Sequence, residues 1–133
     1  MAREEKTRAV DRAYAETRLS AARVSPAGGH QPPLVEGPLR NATVVSSAVL
    51  AGIAASDAAC ALTVGMVSAG AHDQAVMLLA RVSGSKRAGD LSKLLALNTA
   101  AQYTGKSMAE RQAVDAITRA QRLIAFADSQ RRR

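Results

Sequence analysis

The chain has no tryptophan, and its aromatic rings are Tyr14, Tyr103 and Phe126 alone. A core with so few rings, and with no run of alternating β-branched residues, excludes a β-sandwich. It also argues against a single-strand nucleic-acid platform built from stacking side chains. Cys60 is the lone cysteine, so no disulfide framework exists. Its most ordinary use is as an inert core residue. Two histidines, His30 and His72, and one cysteine lie too far apart in sequence to supply a metal site, and no metal or other cofactor is expected. No strand followed by a glycine-rich turn is present to cradle a nucleotide phosphate. Proline is confined to "SPAGGHQPPLVEGPL", residues 25–39. Basic residues are missing from 41–80, where Asp57 and Asp73 are the only charges.

What is present is small and aliphatic. The 133 residues suit one domain, and about a fifth of them are alanine, the strongest helix former. The expected class is all-α, a bundle of four to five helices. The formal charge of +7 is concentrated at 81–133, which carry eleven basic and four acidic side chains and end in Arg131, Arg132 and Arg133. Such a surface attracts polyanions. The start, "MAREEKTRAVDR", is charged where a secretory leader needs an apolar run, which points to the cytoplasm.

Residues 44–67, "VVSSAVLAGIAASDAACALTVGMV", are long enough to span a bilayer. Their apolar content is mostly alanine, and Asp57 at the midpoint would cost about 2.5–3.5 kcal/mol on insertion, so a buried helix is expected instead of a span. Ala48, Gly52, Ser56, Ala59 and Cys60 recur at spacings of three and four and form a small-residue face that admits a close neighbour. Asp57 beside it must be paired, with a basic residue or hydroxyl, near an interface.

The organisation expected is an N-terminal helix within residues 1–24 (from about Glu4), a connector at 25–39, and a bundle core with a basic tail at 40–133, one domain overall. The first helix should bury Val10, Ala13, Tyr14, Thr17 and Ala21. The second should run from about Asn41 to Ser68, ended by Gly70. A short third helix begins near Asp73 and turns Ala75, Val76, Leu78, Leu79 and Val82 inward. The fourth, about Arg87–Gln102, buries Leu91, Leu94, Leu95 and Ala101. The fifth opens on Ser107–Met108–Ala109–Glu110, a capping-box pattern, and buries Ala113, Ile117, Ala120, Ile124 and Ala127.

A long alanine-rich helix ("AVLAGIAASDAACAL"), a short helix, a leucine helix ending "LLALNTAAQY", a loop and "AVDAITRAQRLIAFA" follow one another in that order. This order, over roughly residues 5–128, resembles the HEPN domain superfamily, and most closely its short stand-alone bacterial members. The resemblance implies a HEPN-type bundle that forms a homodimer, expected to meet its second copy through the small-residue faces, in a bacterial toxin–antitoxin or defence-type system, with an antitoxin or nucleotidyltransferase as protein partner. Many members are metal-independent ribonucleases whose R-x4–6-H pattern is completed across the dimer; others are binding or scaffold modules.

Relatives of this type often read arginine, three residues, acid, tyrosine near the end of the fourth helix. Here Tyr103 matches, while Asn98 and Gln102 put amides at both charged positions. An amide neither shuttles protons near neutral pH nor offers a full charge to a phosphate. The Arg23–His30 spacing does fit R-x6-H, but it straddles the connector instead of lying in a C-terminal helix. The resemblance therefore implies a non-catalytic module that binds RNA or a nucleotide through a basic face. Lys93, Lys106, Arg111, Arg119 and Arg122, with Lys86 and Arg87, are the candidate contacts, and Asp57 and Ser56 the buried polar pair. Two alternatives stay open. One is a ribonuclease with an unconventional site at Asn98, Gln102 and Tyr103; the other is a purely structural interaction bundle.

Overall fold

The computed structural model describes residues 6–24, 40–103 and 108–133, with the side chains of 24 and 101–103 left aside. The connector 25–39, Lys106 and Ser107 lie outside the described residues. Five helices carry the architecture: α1 (Arg12–Val24), α2 (Arg40–Val64), α3 (His72–Ser83), α4 (Ser85–Tyr103) and α5 (Glu110–Arg131). A two-stranded antiparallel ribbon joins β1 (Thr7–Ala9) to β2 (Met66–Ser68), with Arg8 opposite Val67. The all-α bundle holds, with this ribbon as a correction to a strandless chain.

The centre of the bundle is α2. It is long and apolar enough to cross a membrane by length and composition, yet α5, α1, α4 and α3 all pack on it. Val45, Ala48, Ala55, Ala58 and Ala59 are fully buried by the chain itself. Where alanine lines the helix, neighbours come close. A Cβ added at Gly52 would stand 2.5 Å from Leu94 Cδ1 and 3.4 Å from Leu123 Cδ1. The small-residue face is thus filled by this chain's own helices, α4 and α5 at Gly52 and α1 and α5 around Ala59.

Element boundaries differ from the sequence reading at three places. The first helix starts at Arg12 instead of Glu4. Asp11 caps it, its carboxylate accepting from the Tyr14 N–H at 2.9 Å, and the residues before it pair as β1. Its buried face is Ala15, Leu19 and Ala22, while Ala13, Thr17 and Ala21 are exposed. Leu19, the one large aliphatic of its inward face, sets that phase; alanines on both faces leave it unmarked in the sequence.

The second helix ends earlier, at Gly65 rather than Gly70. Gly65 takes φ +68°, a left-handed conformation suited to glycine, and its N–H returns to the Ala61 carbonyl at 3.0 Å. Gly70 serves differently, lying against the buried Gln74 side chain.

The fifth helix starts at Glu110, so the expected capping box is displaced. Met108 is buried in the core with Ala113, a hydrophobic staple across the helix start. Gln112 Oε1 accepts from the Ala109 N–H at 2.8 Å, and Asn41 Nδ2 donates to the Met108 carbonyl at 3.0 Å. The buried face is Ala113, Ala116, Ala120, Leu123 and Ala127, with Ile117 and Ile124 only partly covered.

Candidate functional site

Two polar constellations interrupt the aliphatic core. The first surrounds Asp57, whose carboxylate receives Arg18 Nη2 at 3.3 Å. The expectation of a paired acid holds. Burial raises the Asp57 pKa above the ordinary carboxylate value. Arg18, Arg8 and a hydrogen bond from Tyr14 oppose this without cancelling it. The Arg8 guanidinium lies over the Tyr14 ring, 5.0 Å from its centroid, beside an open depression lined by Arg8, Ala9, Val10, Asp11 and Tyr14. Ser56 does not join this group: its hydroxyl donates to the Gly52 carbonyl of its own helix at 2.8 Å. Burial and the neighbouring Asp57 charge push the Cys60 thiol up to about 12, so it stays a protonated core residue.

The second constellation lies between α4 and α5 and was not legible as a site. Asp90 is the most deeply buried carboxylate of the described residues, with 3% of its side chain exposed. Its Oδ1 accepts from Arg119 Nη1 at 3.0 Å and from Arg122 Nη1 at 3.4 Å. Arg119 also donates through Nε to Asp115 at 3.0 Å. Asp90 Oδ2 has no hydrogen-bond partner, and neither has the buried Nε of Arg87, one turn earlier on α4. The Arg87 guanidinium approaches the Phe126 ring at 5.8 Å.

Helical spacing explains the assembly. Lys86, Arg87 and Lys93 each lie three or four residues from Asp90 on α4, and Asp115, Arg119, Arg122 and Phe126 follow one another at the same spacings on α5. The Arg87–Phe126 and Asp90–Arg119 contacts show that the two stripes run antiparallel along one seam. The two stripes carry five cationic side chains and two carboxylates; Arg119 and Arg122 pair with the buried Asp90, and Arg119 also with Asp115. Lys86 and Lys93 are exposed, Arg122 is half exposed and Arg119 is 23% exposed.

Of the candidates named from sequence, Arg119 and Arg122 come together on this seam through Asp90, and Lys93 is exposed on α4 one turn beyond Asp90. Arg111 is exposed on the first turn of α5, toward its far end. Asn98 is half-buried on α4. The backbone of Gln102 and Tyr103 forms the last turn of that helix, but their side chains, like Lys106, lie outside the described residues. Asp90 was missed because a single aspartate in "KRAGDLSK" looks like an exposed member of a charged face. Its one available signal was position, a turn before Leu94 and next to Leu91. No cluster of three potential metal ligands occurs among the described residues. No protein-family model matches the chain, no curated protein matches it, and no solved structure matches it.

Proposed function

We propose that this chain is a non-catalytic, HEPN-like helical module that binds RNA through the α4–α5 seam, as the regulatory part of a bacterial toxin–antitoxin or defence-type system. The observation that supports it is the seam itself: Lys86, Arg87, Lys93, Arg119 and Arg122 gathered from two helices, opposed by Asp90 and Asp115. Charge so arranged supplies backbone contacts without reading bases. The amides at Asn98 and Gln102 weigh against phosphodiester cleavage. In a homodimer, the second copy would meet a surface other than the α2 small-residue face, which is already filled. Among the described residues, Leu50 and Val64 on α2 and Val114 on α5 are exposed aliphatic side chains available for it.

The test is a titration of labelled mixed-sequence RNA at several salt concentrations, with the mixtures then run on a denaturing gel. The expected result is intact RNA and an affinity that falls as salt rises, with a slope corresponding to roughly three to five neutralised phosphates. Lys93→Glu should weaken binding about tenfold at low salt. Absence of binding at low salt overturns the reading. Cleavage would instead promote a ribonuclease that uses Asn98, Gln102 and Tyr103.

A further inference from the structure

The arginines of the seam are not equivalent to its lysines, and the difference lies in what holds them. A lysine on an exposed helix face presents a mobile point charge, whereas a guanidinium is a planar fork whose value depends on orientation. Arg119 is fixed at two atoms, Nη1 on Asp90 and Nε on Asp115, both at 3.0 Å. Arg122 is held at one, its Nη1 against the same Asp90 oxygen at 3.4 Å, while its side chain is 49% exposed. Each guanidinium carries five N–H donors. Two of them are committed on Arg119 and one on Arg122, so each fork keeps unused donors. Asp90 itself is sealed, with 3% of its side chain exposed, so it makes no contact with a macromolecule in solution. A buried acid that receives two arginines and retains an unpartnered second oxygen has the means to hold those arginines as a set.

We propose that Asp90 is a positioning residue, the buried anchor that fixes Arg119 and Arg122 as a paired fork for one phosphate group of the RNA backbone. This rests on the reading of the seam as an RNA-binding face and names the part of it that grips instead of merely attracting. The fork takes a phosphodiester through parallel N–H···O bonds from neighbouring guanidinium edges, the geometry arginine supplies and lysine does not. Lys86 and Lys93, exposed on either side of Asp90 along α4, add attraction at longer range.

The anchor model and simple charge attraction predict opposite signs for one substitution. Asp90→Asn removes a negative charge from the seam, so attraction alone makes RNA bind more tightly. A neutral amide holds two guanidinium groups less firmly than a carboxylate, so the anchor predicts weaker binding despite the added net positive charge. The experiment is fluorescence anisotropy of a labelled mixed-sequence RNA with the full-length chain, at low and at near-physiological salt. The proteins are wild type, Asp90→Asn and Arg122→Lys, each checked for helicity and thermal unfolding.

The expected result is a loss of roughly tenfold for Arg122→Lys, which keeps the charge and removes the fork, and a loss of several-fold for Asp90→Asn in folded protein. Unchanged affinity for Arg122→Lys, or tighter binding by folded Asp90→Asn, overturns the fork and leaves the RNA-binding reading standing as diffuse attraction. If Asp90→Asn does not fold, Arg122→Lys decides the matter alone, since it replaces a half-exposed side chain. Failure of the wild-type chain to bind at low salt overturns the reading beneath and the fork together.

Discussion

At the residue scale, the molecule handles its few inner charges by giving each an arginine from another helix. Arg18 reaches Asp57 from α1, and Arg119 and Arg122 reach Asp90 from α5. For Asp57 this compensation is incomplete, and burial leaves its pKa raised. The folded state therefore holds the Asp57 proton to higher pH than the unfolded chain does. The contribution of this group to stability is greatest below the ordinary carboxylate value of 3.8 and is lost as pH rises through the raised one. An asparagine at 57 removes that titration. Urea unfolding of wild type and Asp57→Asn should show the wild type gaining stability relative to the variant between about pH 7 and about pH 4. A difference that stays flat, or moves the other way, would mean that Arg18 dominates the site.

At the scale of elements, the close contact of α2 with α4 and α5 depends on one position without a side chain. Leu94 is fully buried and Leu123 nearly so, which leaves their methyl groups little room to retreat from a new Cβ at Gly52. Gly52→Val adds a branched side chain there, and its gain in helix propensity over glycine is only a few tenths of a kcal/mol. The variant should lose about 2–3 kcal/mol of stability through overpacking, read as a lower urea midpoint with an unchanged slope. The ends of elements follow equally local causes. Gly65 closes α2 because its φ of +68° suits glycine, and Asp11 opens α1 by accepting the Tyr14 N–H.

At the scale of the whole molecule, α1 is fastened to the C-terminal turn of α5. Arg23 and Arg132 both pair with Asp128, and Arg131 pairs with Glu16 at 3.0 Å. A tail that reads as a free basic run is therefore partly spent on internal ion pairs. The hydrogen bond from Arg132, together with the charges of Arg23 and Arg132, holds the Asp128 carboxyl below its usual range. The stabilising contribution is present above that range and is lost as pH falls through the depressed value. Asp128→Asn should accordingly be less stable than wild type at neutral pH, with the gap closing below about pH 4. Thermal unfolding across that interval measures it, and a gap that persists in acid would assign the effect to packing.

Composition and spacing alone determined that the chain is helical, that the second helix is a core element and that Asp57 needs a partner. The helix propensity of small aliphatic side chains and the cost of burying a charge act over a few residues, so a linear reading captures them. The placement of Leu78, Leu79, Leu91 and Leu94 inward followed from the same periodicity. Tertiary structure decided the rest. Residues 7–9 are a strand because Met66–Ser68 lies beside them, a pairing across 59 positions that no local pattern announces. The inward face of α1 was set by where Leu19 meets α2 and α5, since alanine marks neither side of a helix. Asp90, an ordinary surface acid in the linear sequence, became the centre of the α4–α5 seam only when α5 brought Arg119 and Arg122 against it. Pairing of charges depends on which helices are neighbours, and that is a property of the folded chain.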